Sequence, residues 1–220
     1  LQYYDEKKVE YPRNLYNAFV STQDAYIGKL MAKLDDLDLR KDTIVIFQSD
    51  HGHSTEQRAH NGGGSAGPYR GAKFSLFEVD IRVPSIVNWP GTLPEGEVRQ
   101  QVVHGSDWLP TIAALCGVTL QQPDIDGRSI VEVIKSKDAK SPHDVLHWTI
   151  GNSWAVRQGD WKLIGNPRDT SNKAPLGKDD KLFLVNLAED VSEMKNLAGE
   201  HPQQVERLKK LHDQWMQSAK

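Results

Sequence analysis

Thr43-Ile44-Val45-Ile46-Phe47-Gln48-Ser49-Asp50-His51-Gly52 runs from five β-branched or aromatic side chains into a polar cluster that ends in glycine. A continuous run of this kind predicts a strand covered on both faces, hence a parallel sheet with helices on either side. The polar end then brings Asp50 and His51 to the carboxyl edge of the sheet, where open α/β folds bind their ligands. Upstream, from Asn14 to about Leu37, the apolar positions Ile27, Leu30, Met31, Leu34 and Leu37 recur at steps of three and four. That spacing predicts an amphipathic helix with one buried face. Helix and strand together make an αβ unit, and the fold class is α/β.

Downstream of the strand, residues 52–72 form a glycine-rich loop that carries His53, Arg58, His60 and Arg70 among Gly62, Gly63, Gly64, Gly67 and Gly71. Loops of this length inside a domain are usually functional or mobile. Ile81, Val83, Ser85-Ile86-Val87 and Trp89 predict a further strand, stopped by Pro90-Gly91. Asp107 is placed to N-cap a helix from Trp108 to Cys116, with Gly117 as its C-terminal stop. After Pro142 the texture changes. Residues 154–158 and 161–164 flank Gly159-Asp160, a two-residue hairpin turn, and residues 182–185 offer a third short strand. Pro202 opens a last helix with Val205, Leu208, Leu211 and Trp215 on one stripe. The chain therefore divides into part of an α/β layer, residues 1–141, and a small antiparallel sheet with a closing helix, residues 142–220.

Composition narrows the function classes. The 220 residues are 38% hydrophobic, and 27 basic side chains face 30 acidic ones for a net charge of -3. No global field recommends nucleic acid or an acidic membrane as partner. No run approaches the roughly 18 apolar residues of a membrane span, and residues 1–20 lack a basic start followed by an apolar stretch. A lone cysteine, Cys116, can form neither an internal disulfide nor a thiolate zinc cluster, and it reads as a small core hydrophobe. The opening Leu1-Gln2-Tyr3-Tyr4 reads as if cut from something longer. Oligomeric state is not encoded in these features.

Three side chains carry candidate chemistry. Asp50 and His51 can project one carboxylate and one imidazole into the same crevice, the start of a divalent-metal site; alternatively Asp50 caps backbone amides and His51 is partly solvated. Lys73, after the tight Arg70-Gly71-Ala72, can neutralise an oxyanion as a point charge, or be a solvated surface amine. Arg70 has the same ambiguity and also suits pairing with a carboxylate. His53 and His60 could add metal ligands, but their loop offers no rigidity. His104, His143, His147 and His201 read as surface residues or caps, and Lys162 as a side chain on a solvated strand face.

Five segments in order resemble the C-terminal half of a sulfatase of the alkaline phosphatase superfamily. They are residues 43–52; Gly67-Pro68-Tyr69-Arg70-Gly71-Ala72-Lys73-Phe74-Ser75-Leu76-Phe77-Glu78; Ile81-Arg82-Val83-Pro84 with Trp89-Pro90-Gly91; Asp107-Trp108-Leu109-Pro110-Thr111 with Asp126-Gly127; and Leu182-Phe183-Leu184-Val185-Asn186 with Glu193-Met194-Lys195-Asn196-Leu197. The resemblance implies a partial alkaline-phosphatase-like sandwich, its sheet flanked by helices, followed by the small antiparallel sheet and closing helix. It implies hydrolysis of a small-molecule or saccharide sulfate ester, with Asp50 and His51 as ligands of a divalent metal, calcium first, and Lys73 on the sulfate. It also implies a periplasmic or secreted bacterial setting.

Two departures from the family pattern stand out. Glu78-Val79-Asp80 occupies the place where such enzymes commonly read Glu-Gly-Gly. The Cys-x-Pro-x-Arg segment that yields the formylglycine nucleophile is absent, since Cys116 is followed by Gly117-Val118-Thr119. The nucleophile is therefore expected in a missing N-terminal part, and these residues alone are expected not to turn over. The competing readings are a phosphomonoester, phosphodiester or phosphonate hydrolase of the same superfamily, and a non-catalytic truncated module.

Overall fold

The computed structural model describes residues 1–122, 124–171, 176–177 and 180–218. The chain divides into two compact units. One is built from Leu1–Asp38, Phe47–Ile86 and Leu146–Lys220, the other from Leu39–Ile46 and Val87–Val145. In chain order the elements are α1 (Gln2–Glu6), α2 (Arg13–Asp36), β1 (Val45–Gln48), α3 (Glu78–Ile81), β2 (Ser85–Asn88), α4 (Trp108–Leu115), α5 (Val131–Lys135), β3 (Val145–Ile150), β4 (Ser153–Gln158), β5 (Trp161–Gly165), β6 (Leu182–Asn186) and α6 (Pro202–Ser218). Among the described residues no helix is long and apolar enough to cross a membrane.

The first unit rests on a four-stranded sheet of order β3-β4-β5-β6. The predicted hairpin is there: β4 and β5 run antiparallel with Gln158 opposite Trp161, and β6 pairs antiparallel with β5, Ile164 opposite Phe183. Because side chains alternate along a strand, Ala155, Ile164, Phe183 and Val185 form one face. They make a single core cluster with Leu76 and Phe77 from the segment ahead of α3. Phe77 meets Phe183 edge to face at 5.3 Å. Val156, Leu163 and Leu184 alternate to the opposite side and are buried, and α6 packs on β4 and β5 with Leu208 fully buried.

Coverage of both faces overturns the expectation for Lys162. It is 0% exposed. Its Nζ lies 2.9 Å from Glu78 Oε1 and 2.9 Å from Glu193 Oε1. The Glu78 N–H donates to Glu193 Oε2 at 2.5 Å, closing the triad. Burial pushes the Glu78 carboxyl up, but the Lys162 charge and hydrogen bond, with Arg157 and Arg82 behind them, outweigh it and hold the group below its ordinary range. Glu193 is pushed up, by burial first and then by the negative charge of Glu78.

Where α6 crosses the sheet, aromatic rings replace aliphatic packing. The His212 ring stacks on Trp154 at 4.4 Å, and His147 on Trp215 at 4.8 Å. His147 is therefore a half-buried residue of β3, a strand the sequence pattern did not announce, and not a surface residue. Desolvation, with the neighbouring His212 adding to it, lowers the His147 pKa to about 4.

Other expectations give way to the same accounting of neighbours. β1 and β2 form a two-stranded sheet. Phe47 is 42% and Ile86 60% exposed, so the apolar run is not covered on both faces among the described residues. β2 is also shorter than predicted, because Ile81 belongs to the single turn of α3. The stripe on α2 is at most half-buried, with Leu30 and Leu37 exposed.

In the second unit Asp107 does precede α4, but its carboxylate makes no cap to that helix. Instead it accepts from the N–H groups of His104 (2.7 Å) and Arg128 (2.9 Å) and from His143 Nε2 (2.8 Å). His143 is thus tied to a buried carboxylate and not a surface residue, while His104 is a cap, as expected. Cys116 is exposed. It falls at the end of the eight-residue α4, whose buried positions are Thr111 and Ala113.

Removing the Lys162 ammonium leaves two buried carboxylates facing each other, so Lys162→Met should destabilise by about 3 to 5 kcal/mol. Lys195→Ala, from an exposed surface pair, should leave the urea midpoint almost unchanged. Equal midpoints for the two variants would return Lys162 to a solvated face.

The buried His147 makes a second expectation, with a definite sign. An unfolded histidine titrates near 6.5 and the folded one near 4, so between those values the unfolded chain binds more protons and stability falls as pH falls. Melting temperatures of wild type and His147→Phe should diverge across that window, wild type losing more. Parallel curves would show that the imidazole does not titrate with folding.

Candidate active-site loops

Asp50 and His51 leave the end of β1 in a tight turn. The Ser49 hydroxyl donates to the His51 carbonyl at 2.8 Å, and the His51 N–H donates to Asp50 Oδ1 at 3.1 Å. His51 Nδ1 is 2.9 Å from the Gly52 carbonyl oxygen. Nδ1 faces the carbonyl, an acceptor, which orients the ring, and Nε2 faces a second acceptor, Asp50 Oδ2, at 2.9 Å, so a cation would bind Nε2 by taking the place of the proton between them. The Asp50 side chain is 82% exposed.

A carboxylate oxygen and an imidazole nitrogen thus converge on one point at the surface, the imidazole oriented through its other nitrogen as in metal-bound histidines. This donor pair fits two positions of a divalent cation's shell, calcium or a less oxygen-selective ion. The remaining positions need other donors, since no group of three or more His, Cys, Asp or Glu side chains gathers among the described residues. His53 is half-buried against Gly64, and His60 Nδ1 is 3.0 Å from the Tyr11 hydroxyl. Neither completes the pair.

Gly52 fixes where this turn can sit. A Cβ there would lie 2.7 Å from the Val79 carbonyl oxygen and 2.9 Å from Val79 Cγ1, so only glycine allows the two backbones to approach so closely. The Gly52 N–H donates to Asp80 Oδ1 at 3.1 Å. Burial raises the Asp80 pKa, against the pull of backbone N–H groups of Gly52, Ser75 and Phe74 and of His51.

Lys73 stands on the adjoining turn. Its N–H donates to the His53 carbonyl at 2.9 Å, two residues beyond His51. Its side chain is half-buried, with Nζ 5.0 Å from the centre of the Phe74 ring, and among the described residues it makes no ion pair. Glu56, held below the ordinary carboxylate range by Arg58 and Ser54, also feels the Lys73 charge. Phe74 itself has φ 70. A bulky side chain in the left-handed region costs on the order of 1 to 3 kcal/mol and persists only when its surroundings over-determine it.

Arg70 takes the structural role that its sequence left open. It is buried, with Nε 2.7 Å from Asp169 Oδ2 and Nη1 2.7 Å from the Glu193 carbonyl oxygen. Its guanidinium lies over Phe77 at 4.1 Å and Phe183 at 5.1 Å. Asp169, Glu193 and Asp80 are residues that motif reading passed over as partners. Only Asp80 carried a signal, as a carboxylate at a position where glycine was the expected residue.

Solved structures share this architecture. One from Bacteroides thetaiotaomicron, described in work on the metabolism of multiple glycosaminoglycans, superimposes with a TM-score of 0.70 at 31% identity, over 86% of this chain and 42% of that one. The fold is that of alkaline-phosphatase-like α/β enzymes. Sequence comparison sharpens the class: the chain matches Sulfatase over residues 2–118, and N-sulphoglucosamine sulphohydrolase, C-terminal, over residues 71–220. It belongs to the sulfatase family. Steryl-sulfatase of Mus musculus is 35% identical over 177 residues, 75% of this chain and 28% of that protein. N-acetylgalactosamine-6-O-sulfatase of Bacteroides thetaiotaomicron is 32% identical over 201 residues, 86% of this chain and 39% of that protein. The chain thus spans less than half the length of the relatives it matches.

Proposed function

We propose that the protein carrying this chain hydrolyses sulfate monoesters, with Asp50 and His51 as two ligands of a divalent cation, calcium first, and Lys73 as the ammonium that binds the sulfate. The observation that carries the proposal is the half-buried Lys73, without an ion pair among the described residues, on a strained turn hydrogen-bonded to the Asp50–His51 loop. A cation bound there would supply Lewis-acid charge to the sulfate oxygens. Lys73 contributes a compact positive charge that holds the anion in the ground state and offsets the charge moving onto its oxygens as the ester bond breaks.

Cys116 does not fit the nucleophile. It is exposed and lacks the Pro and Arg of the formylglycine segment, so no covalent step is assigned to this chain. That group is expected from residues outside these 220. In the same proposal residues 1–141 belong to the catalytic α/β domain and residues 142–220 to the small C-terminal one. The substrate is a small-molecule or saccharide sulfate ester, met in the periplasm or outside the cell.

Two measurements on the full-length protein test this. Asp50→Ala should lower divalent-ion affinity and turnover together, while His51→Asn, which keeps a donor atom, should do less harm. Unchanged metal content and rate in Asp50→Ala would reduce Asp50 to a turn cap.

Lys73→Ala should lower kcat/KM for a sulfate ester by about 10²-fold or more, the scale of one lost oxyanion donor. Lys73→Arg should not restore it, because a planar fork does not replace a compact ammonium. The control is the exposed Lys195→Ala, since Lys162 is structural. Equal rates for the Lys73 and Lys195 variants, or a clear preference for phosphate over sulfate esters, would overturn the assignment.

A further inference from the structure

We propose that Asp169, on the connection between β5 and β6, is a positioning residue that holds the turn carrying Lys73. Its carboxylate takes two consecutive residues of that turn, one directly and one through a hydroxyl. Oδ2 accepts from Arg70 Nε at 2.7 Å. Oδ1 accepts from the Ser171 hydroxyl at 2.6 Å and from the Ser171 N–H at 2.8 Å, and the same hydroxyl oxygen accepts the Gly71 N–H at 3.3 Å. Hydrogen bonds to an ionised acceptor are roughly twice as strong as neutral ones. Burial pushes the Asp169 carboxyl up, but the bonds from Ser171 and Arg70 outweigh it and hold the group below its ordinary range.

Residues 169–171 reach the backbone on both sides of Lys73. Ahead of it, Gly71 has φ 95, and a Cβ there would lie 2.7 Å from Ser75 Oγ and 3.0 Å from Phe77 Cβ, so this close turn is open only to glycine. Beside it, the Thr55 hydroxyl donates to the Thr170 carbonyl at 3.2 Å, two residues beyond the His53 carbonyl that accepts the Lys73 N–H. Arg70 supplies the anchor, because the Glu193 carbonyl and the rings of Phe77 and Phe183 already fix its guanidinium. Its side chain is 1% and that of Asp169 4% exposed, so loss of either partner leaves a charge buried alone. The catalytic meaning of this clasp rests on the sulfatase reading of Lys73; the hydrogen-bond geometry does not.

The test has two arms, both on the full-length protein. Amide hydrogen exchange reads the clasp. Asp169→Ala strands the buried Arg70 charge, so Ser171→Ala is the milder variant, removing the relay to Gly71 while keeping the ion pair. In Ser171→Ala the Gly71 amide should exchange about tenfold faster, as for one lost hydrogen bond, and the Lys73 amide should quicken with it. Amides of β4 should keep their rates. Unchanged exchange at Gly71, or equal acceleration in β4, overturns the proposal.

The second arm is a double-mutant cycle read with a sulfate ester. Asp169→Ala should lower kcat about 10²-fold, the scale of a reacting group displaced by a remote change, and should raise KM by less. That effect should largely vanish in a Lys73→Ala background. Additive losses would show that Asp169 does not act through Lys73 and overturn its positioning role. A protein that exchanges as expected but hydrolyses no sulfate ester would overturn the functional reading and leave the clasp supported.

Discussion

The Lys162 ammonium, closed off from water between Glu78 and Glu193, is the constraint on which the first unit depends. Burying a charge is tolerated only when partners satisfy it, and breaking such a pair costs far more than an exposed ion pair contributes. Here the three charges come from β5, from α3 and from the turn after β6, so the triad is satisfied only when sheet, loop and turn are assembled together. The same turn offers the Glu193 carbonyl to Arg70, and Arg70 in turn binds Asp169. A polar network therefore underlies the aromatic cluster of Phe77 and Phe183.

From that anchor the order of rigidity runs outward. The sheet is covered on both faces, α3 is clamped to it, and Asp80 reaches from α3 to the turn that displays Asp50 and His51. Lys73 precedes Phe74, whose backbone occupies a region that bulky residues avoid and that persists only where the surroundings over-determine it. Functional side chains held within a fraction of an ångström need such a supporting shell. The exposed Asp50 carboxylate at the outer end of this chain of supports is open to a ligand, whereas those of Glu78, Glu193, Asp80 and Asp169 are already committed.

Much of this was legible from local pattern. The Gly159-Asp160 hairpin, β6 and α6 follow from turn chemistry and from periods of 2 and 3.6, and the Asp50-His51-Gly52 and Arg70-Gly71-Ala72-Lys73 texts singled out the loops that the structure brings together. What escaped was decided by burial from afar. Lys162 sits in an alternating strand, and antiparallel sheets commonly leave one face to solvent; here the segment of residues 70–81 covers that face. His143 and His147 gave no sign of their partners, because Asp107 and Trp215 lie 36 and 68 residues away in sequence. The apolar run of β1 predicted a covered strand, yet its exposed Phe47 shows that an apolar pattern states a preference, and that its satisfaction depends on which neighbours are present. Asp80 looked like a departure from a glycine turn. Its partner, the Gly52 N–H, lies 28 residues back in sequence and gave no sign there.

The most direct test of the central claim, that the Asp50–His51 and Lys73 turns form one cation and sulfate site, is a crystal structure of the full-length protein with calcium and a sulfate ester bound. The account predicts an Asp50 carboxylate oxygen and His51 Nε2 in the coordination shell of the cation, and Lys73 Nζ within hydrogen-bond distance of a sulfate oxygen. A cation and ester bound with Asp50 still turned to solvent, or with Lys73 out of reach of the sulfate, would contradict it.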